Sequence, residues 1–204
     1  ARMEVPTDKL SEFVLMASEM ATAFDAVPDE ITESMGKVAK NFKIELTNIR
    51  GLADTINYLD DNAISKGRDI IDYLNRTSGT LSQASMSPQD AAALGSTLLT
   101  MGERAETAST ATNAIVAKFA AATKGTKKFQ SALGELGLSS EAIEGSMSEN
   151  ATATLLQVID AIAQAPKSKR MGIMVELVGM EHADTLAKLV DKPEELRRQL
   201  ALAN

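Results

Sequence analysis

The 204-residue chain carries 28 acidic against 21 basic residues, a net charge of −7, and is 44% hydrophobic but only 3% aromatic, with no Trp and no Cys. A chain this acidic does not hold nucleic acid by general phosphate attraction. The missing cysteines exclude a disulfide framework and thiolate chemistry, which fits a reducing cytoplasm, and no apolar run approaches the ~18 residues that span a bilayer. Its core must come from Leu, Ile, Val, Ala and ten Met, side chains that suit thin layers of packed helices.

Strand alternation is missing and the helical period dominates. Leu10, Phe13, Val14, Ala17, Met20, Ala21 and Phe24 follow an i, i+3, i+4, i+7 rule over four turns. Val27-Pro28 breaks that run. A second helix is expected from Pro28 to about Lys40, and a third carries Leu46, Ile49, Ala53, Ile56 and Leu59 before the polar Asp60-Asp61-Asn62. Ser65 is read as the cap of a fourth helix, with Ile70, Ile71 and Leu74 on one face and its end at Gly79. Ser87, Pro88 and Asp90 give the clearest start signal: a hydroxyl at the cap, proline in the first turn and an acid at the positive end of the helix. That helix ends at Gly102.

The next helix carries Ala108, Ala111, Ile115, Phe119 and Ala122 and stops at Gly125; a shorter one holds Phe129, Leu133 and Leu136 and ends at Gly137. Ser139-Ser140-Glu141 opens a weak helix to about Gly145. Leu155, Val158, Ile159 and Ile162 mark another, ended by Pro166. Met171 to Val178, Leu186 to Val190 and a last stretch after Lys192-Pro193 with Leu196 and Leu200 complete the pattern. The fold class is all-α, a compact array of about ten short to medium helices. Residues 1–62 read as an acidic helical segment and 63–204 as a helical core module, with one continuous domain as the alternative. Eight of the acids fall in residues 1–36 against only Arg2 and Lys9, which reads as a solvated helix face.

No group of residues has catalytic or metal-ligand spacing. His182 is the only histidine; Glu176, Glu181 and Asp184 are near it in sequence, but no His-Glu-x-x-His spacing exists, and the plain reading is a solvated helix start. Ser168-Lys169, beside Lys167 and Arg170, is a Ser-Lys pair on paper and a helix-junction cap by preference. Asp60-Asp61 and Glu194-Glu195 are adjacent pairs that diverge by about 100° on a helix, a poor layout for a glycosidase. Asp60-Asp61-Asn62 lacks the glycine and distal glutamate of a calcium loop. Gly36-Lys37 and Lys124-Gly125-Thr126 do not make a phosphate cradle. Asn75-Arg76-Thr77 and Asn150-Ala151-Thr152 are chance sequons. Lys124, Lys127 and Lys128 form the clearest basic cluster, beside a Phe129 that the periodicity buries; they read as a solvated helix start and not as a nucleic-acid surface. Catalytic, cofactor-binding and metal residues are therefore none.

The stretch from Met86 to Leu138 combines Met86-Ser87-Pro88-Gln89-Asp90-Ala91-Ala92-Ala93-Leu94-Gly95, Leu98-Leu99-Thr100-Met101-Gly102, an alanine-rich run, and Phe129-Gln130-Ser131-Ala132-Leu133-Gly134-Glu135-Leu136-Gly137-Leu138. Upstream lie Leu52-Ala53-Asp54, Leu59 to Asn62, Asp69-Ile70 and Leu74 to Gly79; downstream lie Leu155-Leu156, Ala165-Pro166, Arg170 to Ile173 and Leu177 to Glu181. In order and spacing, residues ~15 to ~190 resemble the core module of tape-measure proteins of tailed bacteriophages and prophages, especially those with contractile tails. Ser109 and Val178 depart from it, standing where that family more often has Gly and Phe.

The resemblance implies a non-enzymatic structural protein that lies inside the growing tail tube, sets tail length and templates tube assembly. It implies tail-tube subunits and tail-assembly chaperones as partners, with self-association possible and neither specific nucleic acid nor membrane bound by this segment. It places the protein in the host cytoplasm during assembly and then in the virion tail interior. The chain begins at Ala1 and is expected to be a segment of a longer protein. The alternatives are a helical adaptor or signalling bundle that binds partner helices, and a cell-wall hydrolase, for which the expected acid pairs and zinc spacing are missing.

An unbroken helix of this length would be about 300 Å long, but a Gly or Pro interrupts the pattern roughly every 10 to 25 residues. Sustained heptads are missing too. Small-angle scattering on the isolated segment is expected to give a compact particle, and a thin rod would contradict the breaker argument.

Overall fold

The computed structural model describes residues 7–204; Arg2 and Glu4 of the acidic end lie outside the described residues. Among these residues the chain forms twelve α-helices, one 3₁₀ turn and no strand. The first five are α1 (Thr7–Phe24), α2 (Pro28–Phe42), α3 (Ile49–Asn62), α4 (Gly67–Gln83) and α5 (Pro88–Thr100). Then come α6 (Ala105–Ala120), a 3₁₀ turn (Ala122–Lys124), α7 (Lys127–Glu135), α8 (Ser140–Glu149) and α9 (Ala151–Gln164). The last three are α10 (Lys167–Val178), α11 (Met180–Asp191) and α12 (Pro193–Ala203).

α5 is the helix around which the others are laid. Ala91, Ala92, Ala93, Leu94, Gly95, Ser96, Thr97 and Leu98 are all buried, so this helix has no solvent face for two turns, as a helix apolar or small on every side requires. α4, α12, α3, α6 and α11 all pack on it. The start signal read from the sequence operates: Ser87 Oγ accepts from the Asp90 amide at 3.1 Å and Pro88 occupies the first turn. The stop is Gly102, at φ 92°, a conformation that suits a residue without Cβ.

α4 is the second hub, packed on α2, α5 and α6. Its Tyr73 is fully buried and donates to Thr112 Oγ1 of α6 at 2.9 Å. The ring lies against α5 where there is no side chain: a Cβ at Gly95 would fall 2.2 Å from Tyr73 Cδ1. Gly67, at the start of α4, gives the same access to the Phe24 ring, 2.4 Å from where its Cβ would stand. Burial pushes the Tyr73 phenol well above its ordinary range, and the hydrogen bond to Thr112 offsets only part of that.

Several expectations are corrected. Ser65 does not cap α4; its hydroxyl is buried and meets Ser96 Oγ at 2.7 Å, while the first amide of α4, from Gly67, is accepted by Asp60 Oδ1 at 2.7 Å. α4 does not stop at Gly79 but runs to Gln83, because Gly79 faces open space while Leu81 one half-turn on is fully buried. Val14 is 44% exposed, since it sits at the margin of the α1 stripe, and Met16 takes its place in the core. α8 continues past Gly145 to Glu149, and α11 begins at Met180, well before Leu186. Ser109 and Val178 are both buried; the Ser109 hydroxyl is satisfied by the Ala105 carbonyl of the preceding turn.

The second half is a set of short helices punctuated by caps. Thr126 caps α7, Ser139 caps α8 and Asn150 caps α9, each through a side-chain oxygen accepting an amide three residues on. α10 packs on α11 and α7, and α11 on α6 and α9. Gly95→Ala gains up to ~1 kcal/mol of helix propensity, but its methyl has no room beside Tyr73, and overpacking of this kind costs about 1–3 kcal/mol. Urea unfolding is expected to show net destabilisation for Gly95→Ala alone, and recovery of part of it when Tyr73→Leu is added to remove the ring.

Candidate interaction surface

The polar side chains are spent on holding helices together. Ser65, Ser96 and Gln199 are buried. Ser96 donates to Gln199 Oε1, and Gln199 Nε2 donates to Thr100 Oγ1 and Glu195 Oε1, both at 3.0 Å. Glu103, whose side chain is only 6% exposed, accepts from Thr185 at 2.8 Å and pairs with Lys188 at 3.2 Å, tying the α5–α6 turn to α11. Asp90 accepts from Thr152 at 2.6 Å and from Asn204 at 2.9 Å, joining α5 to α9 and to the residue after α12. Among the described residues, Asn113 Oδ1 is the one buried side-chain oxygen or nitrogen with no hydrogen-bond partner.

The residues that the sequence raised as candidates are dispersed by the fold. His182 stands in the first turn of α11, but its side chain is only 14% exposed and so is not the solvated one expected; Glu181 lies 3.9 Å from it. Among the described residues no group of three or more His, Asp or Glu could hold a metal ion. Ser168 and Lys169 are exposed in the first turn of α10, while Arg170 donates to the Ala165 and Ala163 carbonyls at the end of α9 and so caps that junction. Glu194 faces out and Glu195 turns toward Gln199 and Arg198; Asp60 is spent on Gly67 and Asp61 is exposed.

Gly36-Lys37 lies inside α2, so no loop is available to wrap a phosphate. Thr77, of the first sequon, is buried in α4 and donates to the Tyr73 carbonyl. Asn150, of the second, is the α9 cap. An asparagine directly before an alanine-rich run was the signal for that role. Lys124, Lys127 and Lys128 are exposed, and Phe129 is buried against Phe119 with ring centroids 6.3 Å apart.

One concave surface is acid-lined. A groove of about 660 Å³ runs between α2 and α4, edged by Asp25, Glu30, Glu33, Asp69 and Asp72, with Lys37 and Arg68 as its basic members. A second groove, of about 350 Å³, shares Asp69 and Asp72 and continues over the α5–α6 turn to Glu103, Arg104 and Glu106. The two make one trough across α4 in which carboxylates outnumber cations, a surface that repels phosphate. The acidic end foreseen in the sequence supplies one bank; the other comes from residues 69–106 and needed the fold to bring it there. Large exposed apolar side chains (Val14, Leu15, Tyr58, Met171 and Met180 among them) are spread over α1, α3, α10 and α11. Among the described residues no helix is long and apolar enough to cross a membrane.

The described residues form an all-helical body whose polar groups serve packing and caps and whose grooves are lined by acids. The chain belongs to the phage-related minor tail protein family, whose model it matches over residues 1–179. It is 26% identical over 183 residues to a probable tape measure protein of Halomonas phage phiHAP-1, an alignment that covers 90% of this chain and 21% of that protein. The chain thus spans about a fifth of the length of that relative. No solved structure matches it.

Two carboxylates are poised to report on acid stability. Arg198, burial-opposed and helped by Gln199, holds the Glu195 carboxyl below its ordinary 4.5. The Thr123 hydroxyl and amide do the same for Glu144. A folded-state pKa below the unfolded one stabilises above the unfolded value and is lost as pH falls through the folded one. Glu195→Gln and Glu144→Gln are therefore each expected to flatten the loss of stability below about pH 4.5, read as denaturant midpoints across an acid pH series.

Proposed function

We propose that this chain is a folded module of a phage tail tape-measure protein, a non-enzymatic assembly protein that sets tail length and templates the tail tube from within. The observation that carries this reading is the 183-residue similarity to a probable tape measure protein, of which the chain accounts for only 21%. The family relationship over residues 1–179 supports a role in the tail. In the proposed role tail-tube subunits and tail-assembly chaperones are the partners, in the host cytoplasm while the tail is built, and the finished location is the tail interior.

The geometry is in keeping with that role. Serine, threonine and carboxylate groups that would serve chemistry in an enzyme are here caps and helix ties. The acid-lined trough gives DNA passing through the same tube no phosphate-binding surface to lodge on. Length is then set outside this module, since twelve helices folded back on one another span far less than the ~1.5 Å per residue of a continuous helix. In the phage that encodes the parent protein, in-frame removal of helical residues outside this module is expected to shorten tails by about 1.5 Å per residue removed, measured by electron microscopy. Tails of unchanged length would overturn the proposal.

A further inference from the structure

We draw no further inference here: the strongest candidate, the acid-lined groove between α2 and α4, is a cluster of carboxylates, and nothing in the structure shows what covers it.

Discussion

The Tyr73 ring, seated on α5 at the one position where α5 offers no side chain, governs how closely the two central helices meet. A ring this large buries an area worth several leucine contacts, and it can do so here only because Gly95 leaves its volume free. The hydroxyl at the far end reaches Thr112, so one side chain fixes α4 against α5 and against α6 together. α2 also packs on α4, and α12, α3 and α11 also pack on α5. A shift at that contact would therefore be felt by every helix packed on α4 or α5. In a chain with no Trp and five Phe, few other residues could fill the space.

Close packing of α5 has a second consequence. Ser96, Thr97 and Thr100 bring hydroxyls into a region without water, and each must be satisfied there. Thr97 and Thr100 donate to carbonyls one turn back, at 2.7 and 2.8 Å. Ser96 instead bridges Ser65 and Gln199. Two distant segments are thereby required to be present when α5 is buried, the turn before α4 and the helix α12. The buried hydroxyls of an alanine-rich helix thus supply specificity that its methyl groups cannot, because methyl packing alone tolerates many registers.

Legibility in the sequence follows the range of the interaction. Ser87-Pro88-Asp90 was readable because a cap is settled within four residues, and the all-α class was readable because periodicity is local. The Ser65 and Gly79 readings failed for nonlocal reasons. Ser65 was drawn to Ser96, 31 residues on, which left Asp60 to receive the α4 amide. At Gly79 the propensity cost is about 1 kcal/mol, whereas burying Leu81 contributes about 2–3 kcal/mol, so the helix continues. Val14 failed because periodicity identifies a stripe but not its width. The acid trough was half legible: the acids before Lys37 are dense in sequence, but Asp69, Asp72 and Glu106 join them only through the packing of α4 beside α2 and of the α5–α6 turn beside α4.

The same packing bears on what a module of this kind contributes to a length-setting protein. For 204 residues a folded domain has a radius of gyration of about 17 Å, whereas the same residues as one straight helix would extend about 300 Å. To add length along a tail axis, the helices would have to leave one another, exposing α5, whose alanines, leucines and hydroxyls have no solvent-facing side. That is a large penalty to take on for length which a simple amphipathic helix supplies at no such cost. A folded module is better suited to a task that needs a shape. The contrast is physical in origin: a segment with a solvent face along its whole length can extend at little cost, whereas a segment built around a fully enclosed helix keeps its shape.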